Sequence, residues 1–203
     1  MARRGERGVW LPSLEPLRLL LRPAVRSLAA LGVGPDAITA LGCLVSLFAA
    51  ALFATGDVRV AGVVMLLGGV FDALDGAVAR EQGRQSEFGA FLDSTLDRLS
   101  EAAILVGLIF AFAAAGRPFA ALLAGAAMTF SLMTSYARSR AETLGYECNV
   151  GLLGRAGRVT ILGLCAVAGL PLAGVAVIAV GAAATTAQRV LHVRRLHLAG
   201  RRG

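Results

Sequence analysis

Six apolar runs follow one another between residues 36 and 196, each about as long as a bilayer is thick. A helix needs roughly 20 apolar residues to cross the hydrocarbon core. In lipid, only helices and closed barrels satisfy their own backbone polar groups. The runs fall at 36–55, 58–80, 86–114, 117–144, 152–169 and 172–196. The breaks are short. Pro35 precedes the first run and Gly56 follows it; Gly116 and Gly145 close the third and fourth. The expected fold is all-α and integral to the membrane, with six transmembrane helices. The connection near Pro171 is so short that the last two must be antiparallel neighbours.

Composition supports this. Apolar residues make up 57% even before the 25 glycines are added, against about 45–50% with glycine included in soluble domains. Charged residues make up 16%, against about 25%. Mean hydropathy is +0.72. A soluble domain and a disordered chain are excluded. A disulfide scaffold is excluded too, because Cys43, Cys148 and Cys165 staple little and lack ligand spacing.

The net charge is +7, and all 20 basic residues are arginine. In a soluble protein that surplus would suggest nucleic acid. In a membrane protein it marks the cytoplasmic side, and no nucleic-acid partner is expected. With the N-terminus inside, only Arg59 and Arg117 fall on the outer side, and the other 18 arginines lie inside. The expectation is a multi-pass protein of the cell membrane with both termini cytoplasmic.

Residues 1–34 form a cytoplasmic tail and a juxtamembrane helix ahead of a membrane domain at 35–203. Arg18, Arg22 and Arg26 stand at i, i+4, i+8, which puts them on one helical face. Leu19, Leu20, Leu21 and Val25 occupy the others. The stretch 12–31 thus reads as an amphipathic helix on the membrane surface, kinked at Pro23 and anchored by Trp10. A signal peptide fits less well, because arginine recurs within the apolar stretch. His192 and His197 belong to a basic tail expected to touch anionic headgroups.

The stretch from Phe71 to Glu101 carries the chemistry. Asp72 and Asp75 are at i, i+3 near the inner end of the second run. Asp93 and Asp97 are at i, i+4 near the inner start of the third. A short connection around Gly83 makes the two helices antiparallel, so the pairs lie at similar depth and can face each other. A carboxylate at the bilayer centre costs roughly 2.5–3.5 kcal/mol or more. Four together call for divalent cations. Two Mg²⁺ or Mn²⁺ ions would cancel the charge and share ligands with substrate phosphates. The plainer alternative is interfacial pairing with Arg80, Arg84 and Arg98. Gly76, Ala79 and Gly89 clear space beside the aspartates for a phosphate or nucleotide, and Arg80 can donate to its oxygens.

The pattern D-x2-D-G-x2-A-R-x8-G-x3-D-x3-D runs from Asp72 through Asp75, Gly76, Ala79, Arg80, Gly89 and Asp93 to Asp97. It resembles, without a gap, the signature of the CDP-alcohol phosphotransferases. The six-run outline and the surface helix agree with that family. The resemblance implies transfer of a phosphatidyl group from CDP-diacylglycerol to an alcohol, with release of CMP. It also implies that Asp72, Asp75, Asp93 and Asp97 ligate metal and that Asp97 is the base. Gly76 and Arg80 then bind the CDP part, Ser86 matches a hydroxyl position, and Pro35, Asp36 and Thr39 resemble a segment near the nucleotide. A homodimer is implied as well.

Three further arginine groups address the acceptor. Arg138 lies in Ser135–Glu142 at the end of the fourth run, Arg155 and Arg158 open the fifth, and Gln188-Arg189 closes the sixth. Arginines around one cavity suit a phosphorylated acceptor. Positive-inside charge is the simpler explanation of the same residues. The segments resemble the actinobacterial phosphatidylinositol phosphate synthases within the family. That implies Arg138, Arg158 and Arg189 as acceptor-phosphate contacts and inositol 1-phosphate as the acceptor. The chain departs in two places: it has Arg155-Ala156-Gly157-Arg158 where relatives show R-P-E-R, and its loop before the sixth run is shorter. Glycerol 3-phosphate is the rival acceptor, ahead of serine and free inositol. An ion or proton transporter built on the same aspartates would spread its charges across the membrane in repeated halves. Here they cluster at one end. A non-catalytic scaffold would tolerate loss of a signature position, and none is lost.

Overall fold

The computed structural model describes residues 15–200, with side chains from residue 22 onward. Trp10 and the side chains of Arg18, Leu19, Leu20 and Leu21 lie outside the described residues. The described chain is helical, with no strand. Its elements are α1 (Glu15–Ala30), α2 (Pro35–Thr55), α3 (Val58–Glu81), α4 (Glu87–Ala114), α5 (Pro118–Thr143), α6 (Arg155–Val167) and α7 (Pro171–Leu198). Proline opens α2, α5 and α7 at a position that needs no backbone N–H. Ser86 caps α4, its hydroxyl accepting from the Gly89 N–H at 2.9 Å.

By length and composition, α2, α3, α5 and α7 can cross a membrane. The 28-residue α4 is long enough, but Asp97, Arg98 and Glu101 fall within every 18-residue stretch of it. The 13-residue α6 is shorter than its apolar run suggested. It measures about 20 Å at 1.5 Å per residue, against roughly 30 Å of hydrocarbon. The cause lies in α7. The Leu152 N–H donates to Gln188 Oε1 at 3.0 Å and the Leu153 N–H to Thr185 Oγ1 at 2.9 Å. The Val150 carbonyl accepts from Arg189 Nε at 2.9 Å. With its backbone groups satisfied there, the segment before α6 has no need of a helix.

The six longer-range partners close a ring. α2 packs on α3 and α4, α4 on α5, α5 on α7, α7 on α6, and α6 on α3. The ring interior is alanine-rich, with Phe53, Leu105, Leu108, Leu162 and Ile178 as its bulkier members. Small residues bring the helices close. A side chain at Gly107 of α4 would collide with the Ala50 carbonyl of α2, and one at Gly62 of α3 with Ala166 of α6.

The amphipathic α1 continues through Pro23 and packs on α3. Arg22 and Arg26 are exposed, while Val25 is buried against Ile38, Leu74 and Val78. Gln82 Nε2 donates to the Val33 carbonyl just past α1 at 3.0 Å. The two histidines do not hang free at the C-terminal end. His197 Nδ1 lies 2.9 Å from the Tyr146 hydroxyl, and His192 Nε2 lies 3.1 Å from the Glu147 carbonyl. Both tie α7 to the segment after α5.

Candidate active site

The site forms where α3 ends and α2, α4 and α6 begin. Gly83, with φ +63°, supports the tight reversal from α3 into α4. That reversal brings Asp72 and Asp75 opposite Asp93 and Asp97. Carboxylate oxygens of Asp72, Asp75 and Asp93 all lie within 4.8 Å of one another. Thr39 Oγ1 of α2 donates to Asp75 Oδ2 at 2.7 Å, and the Gly76 N–H donates to Asp75 Oδ1 at 2.5 Å. Asp93 Oδ1 is buried with no hydrogen-bond partner. A buried acceptor of that kind costs free energy unless a cation or donor reaches it. Three hard oxygen donors and an orphaned carboxylate oxygen fit Mg²⁺ or Mn²⁺.

Asp97 stands outside this trio. Arg155 of α6 pairs with it, with Nη2 at 2.7 Å from Asp97 Oδ1. The same guanidinium reaches Asp72 Oδ2 with Nη1 at 2.8 Å. Among the described residues, the aspartates pair with Arg155 and not with Arg80, Arg84 or Arg98. The reason is topological. The cation comes from across the ring, and nothing in the local spacing of α3 and α4 announces it.

Beside the carboxylates lies a cavity of about 420 Å³, within the usual ligand-pocket range of ≈ 300–1,000 Å³. Its walls include Pro35, Asp36 and Thr39 of α2, Gly76, Ala79 and Arg80 of α3, and Ser86, Gly89 and Asp93 at the start of α4. All eight residues expected around the CDP group therefore meet in one space. Gly76 keeps that space open. A Cβ there would lie 3.5 Å from Arg80 Nη1, so the guanidinium folds back over the glycine. A Cβ on Gly89 would press on Ser86 Oγ at 3.0 Å and Asp36 Oδ1 at 3.3 Å. Deeper in the ring, Asp72, Asp75, Asp97 and Arg155 meet Ser46 and Ser100 around a slot of about 10 Å³, roughly one water in size.

The expected acceptor arginines are placed differently from one another. Arg138 is half-exposed, with Nε 2.8 Å from Glu142 Oε1 and Nη2 3.2 Å from Asn149 Oδ1. Arg189 is buried and donates to the Val150 and Thr134 carbonyls at 2.9 and 2.6 Å. Arg158 is 1% exposed. It grips Glu101 with Nε at 2.6 Å and Nη2 at 2.8 Å, and Nη1 donates to the Leu153 carbonyl at 3.2 Å. Three of its five N–H donors are thus spent inside the protein.

Sequence reasoning missed this cross-ring arrangement. Asp97 and Glu101 on α4 face Arg155 and Arg158 on α6 as two rungs of a ladder. The signal was present in part. Glu101 extends the i, i+4 row begun by Asp93 and Asp97, and Arg155 and Arg158 stand at i, i+3.

The sequence pattern of the CDP-alcohol phosphatidyltransferase family matches residues 33–190. The chain belongs to that family, a family of transferases. It is 46% identical over 128 residues to archaetidylinositol phosphate synthase of Methanothermobacter thermautotrophicus, a match that spans 63% of each protein. The crystal structure of Mycobacterium tuberculosis phosphatidylinositol phosphate synthase with CDP-DAG bound superposes with a TM-score of 0.77 at 33% identity. That match covers 84% of this chain and 92% of the other. The same enzyme in complex with manganese and citrate gives 0.76 at 32% identity, covering 85% and 88%.

Proposed function

We propose that this protein transfers a phosphatidyl group from CDP-diacylglycerol to inositol 1-phosphate, giving phosphatidylinositol phosphate and CMP. The observation that carries the proposal is the cavity of about 420 Å³. It gathers the residues expected around the nucleotide and is lined by Asp75 and Asp93, two of the three aspartates that can bring a carboxylate oxygen within 4.8 Å of one another. The relatives' names agree on an inositol phosphate product and differ in the lipid.

In the proposed reaction, the acceptor hydroxyl oxygen attacks the phosphorus that carries the diacylglycerol. A new P–O bond forms there, the P–O bond to CMP breaks, and CMP leaves with the electron pair. Asp97 takes the hydroxyl proton. Asp72, Asp75 and Asp93 would hold one divalent ion, and Asp97 with its neighbours a second, Mg²⁺ or Mn²⁺. When bound, such ions neutralise the pyrophosphate and stabilise charge on the leaving group. Arg80, folded over Gly76, donates to the pyrophosphate oxygens. Pro35, Asp36, Thr39, Ala79, Ser86 and Gly89 shape the space for cytidine.

For the acceptor phosphate we assign Arg138 and Arg189, which lie close enough to interact electrostatically. Arg138 is free to turn toward a ligand. Arg189 adds a fixed charge. Arg158, neutralised by Glu101, braces the wall behind them.

The proposed topology has six crossings, α2 to α7, with α6 completing its crossing through the segment before it and the turn before Pro171. Residues 1–34 form the cytoplasmic tail and juxtamembrane helix, and 35–203 the membrane domain. Both termini and the site then face the cytoplasm, so acyl chains stay in lipid while CMP leaves to water. The basic tail contacts anionic lipids, and the enzyme works as a homodimer.

The test is CMP release by purified protein with CDP-diacylglycerol and Mg²⁺ across inositol 1-phosphate, glycerol 3-phosphate, free inositol and serine. Turnover with inositol 1-phosphate alone is expected. Turnover with glycerol 3-phosphate instead would overturn the acceptor, and no aspartate-dependent CMP from any of the four would overturn the reaction.

A further inference from the structure

Among the described residues, Arg155 is the one guanidinium that pairs within the carboxylate cluster. Its two terminal nitrogens hold Asp72 Oδ2 at 2.8 Å and Asp97 Oδ1 at 2.7 Å, and its Nε is buried without a partner. It reaches these groups from α6, a helix that does not pack closely on α4. One turn further along, Arg158 and Glu101 hold the same two helices apart at a fixed distance through a bidentate pair. The lower rung of the ladder is thus closed on itself. The upper rung is made from carboxylates that the reaction needs for other work.

We propose that Arg155 is a positioning residue that competes with divalent metal for Asp72 and Asp97. The inference rests on the metal-dependent reading above and adds a residue that reading does not assign. A carboxylate oxygen bonded to a guanidinium is not free to ligate an ion, and a positive charge inside the cluster repels one. Metal and Arg155 are therefore alternative counterions for the same two groups. Binding that shifts one must weaken the other by the same factor, as linkage requires. Arg155 keeps Asp97 beside Asp72, at the correct depth, and sets how much metal is needed to take it over. The planar fork is what allows one residue to hold two carboxylates, and lysine cannot reproduce it.

The test is Mn²⁺ affinity, read as free Mn²⁺ by electron paramagnetic resonance on protein in lipid nanodiscs without substrate. Arg155→Gln is expected to bind Mn²⁺ about tenfold more tightly than the unaltered protein. Arg155→Lys, which keeps the charge and loses the fork, should fall between them. Arg98→Gln is the control for general charge, since Arg98 lies near Asp93 but pairs with none of the aspartates. It should change affinity less than twofold. A residue with a merely structural role would leave affinity unchanged or weaken it on replacement. Unchanged or weaker binding in both Arg155 variants would overturn the inference, and so would an equal tightening in Arg98→Gln. If the unaltered protein itself binds no Mn²⁺, the metal-dependent reading fails instead.

Discussion

The two walls of the site are built on opposite principles. The wall made by α2, α3 and the start of α4 leaves polar groups waiting. Asp93 Oδ1 has no partner, Arg80 folds over an open glycine, and a cavity of about 420 Å³ lies between them. The wall made by α6 and α7 satisfies most of its own groups, Arg155 Nε excepted. Arg158 is spent on Glu101, and Arg189 on the Thr134 and Val150 carbonyls. Buried charge is tolerated in both, but in the second wall most of it is already paired or hydrogen-bonded within the protein. Arg138, near the end of α5, is the exposed arginine proposed for the acceptor. A cluster of like residues is therefore a poor guide to binding until its internal partners are known.

The largest expected effect tests the first wall. Asp97→Asn keeps the shape and removes the proposed base, and should lower kcat about 10³-fold in the CMP-release assay with the fold intact by circular dichroism. Next comes the second wall. Glu101→Ala strands the Arg158 charge in the bundle and should cost about 3–5 kcal/mol of stability, measured by thermal unfolding in detergent. If Arg158 served a ligand and not Glu101, the same change would leave stability intact and alter acceptor KM. A smaller effect concerns the open space. Gly76→Val pushes into Arg80 and the cavity and should raise KM for CDP-diacylglycerol about tenfold, leaving acceptor KM unchanged. The smallest concerns Arg138. Its exposed pair with Glu142 is worth at most about 1 kcal/mol, so Arg138→Ala should leave the melting temperature in place. Acceptor KM should still rise by about fivefold through the lost charge-assisted contact.

Most of the first wall was legible in the sequence. Its residues sit at i, i+3 and i, i+4 on two helices joined by a tight turn, so local periodicity alone brings the aspartates together. Two helix starts were legible from proline, since Pro35 and Pro171 stand at positions that need no backbone N–H. The second wall was not. Arg155 meets Asp72 across 83 residues and Arg158 meets Glu101 across 57. Such pairings depend on ring closure, which no spacing within one helix encodes. The short α6 was hidden likewise, because its apolar run looks helical until Thr185, Gln188 and Arg189 of α7 take up the backbone before it. Two other expectations, the surface anchoring by Trp10 and the face carrying Arg18, fall outside the described residues.

The central claim is that nucleotide and metal share the first wall. Anomalous diffraction from crystals grown with Mn²⁺ and CMP measures this most directly. The account predicts manganese among Asp72, Asp75 and Asp93, with the cytidine ring between Pro35 and Gly89. Manganese bound elsewhere, or CMP seated against Arg138 and Arg189, would contradict it.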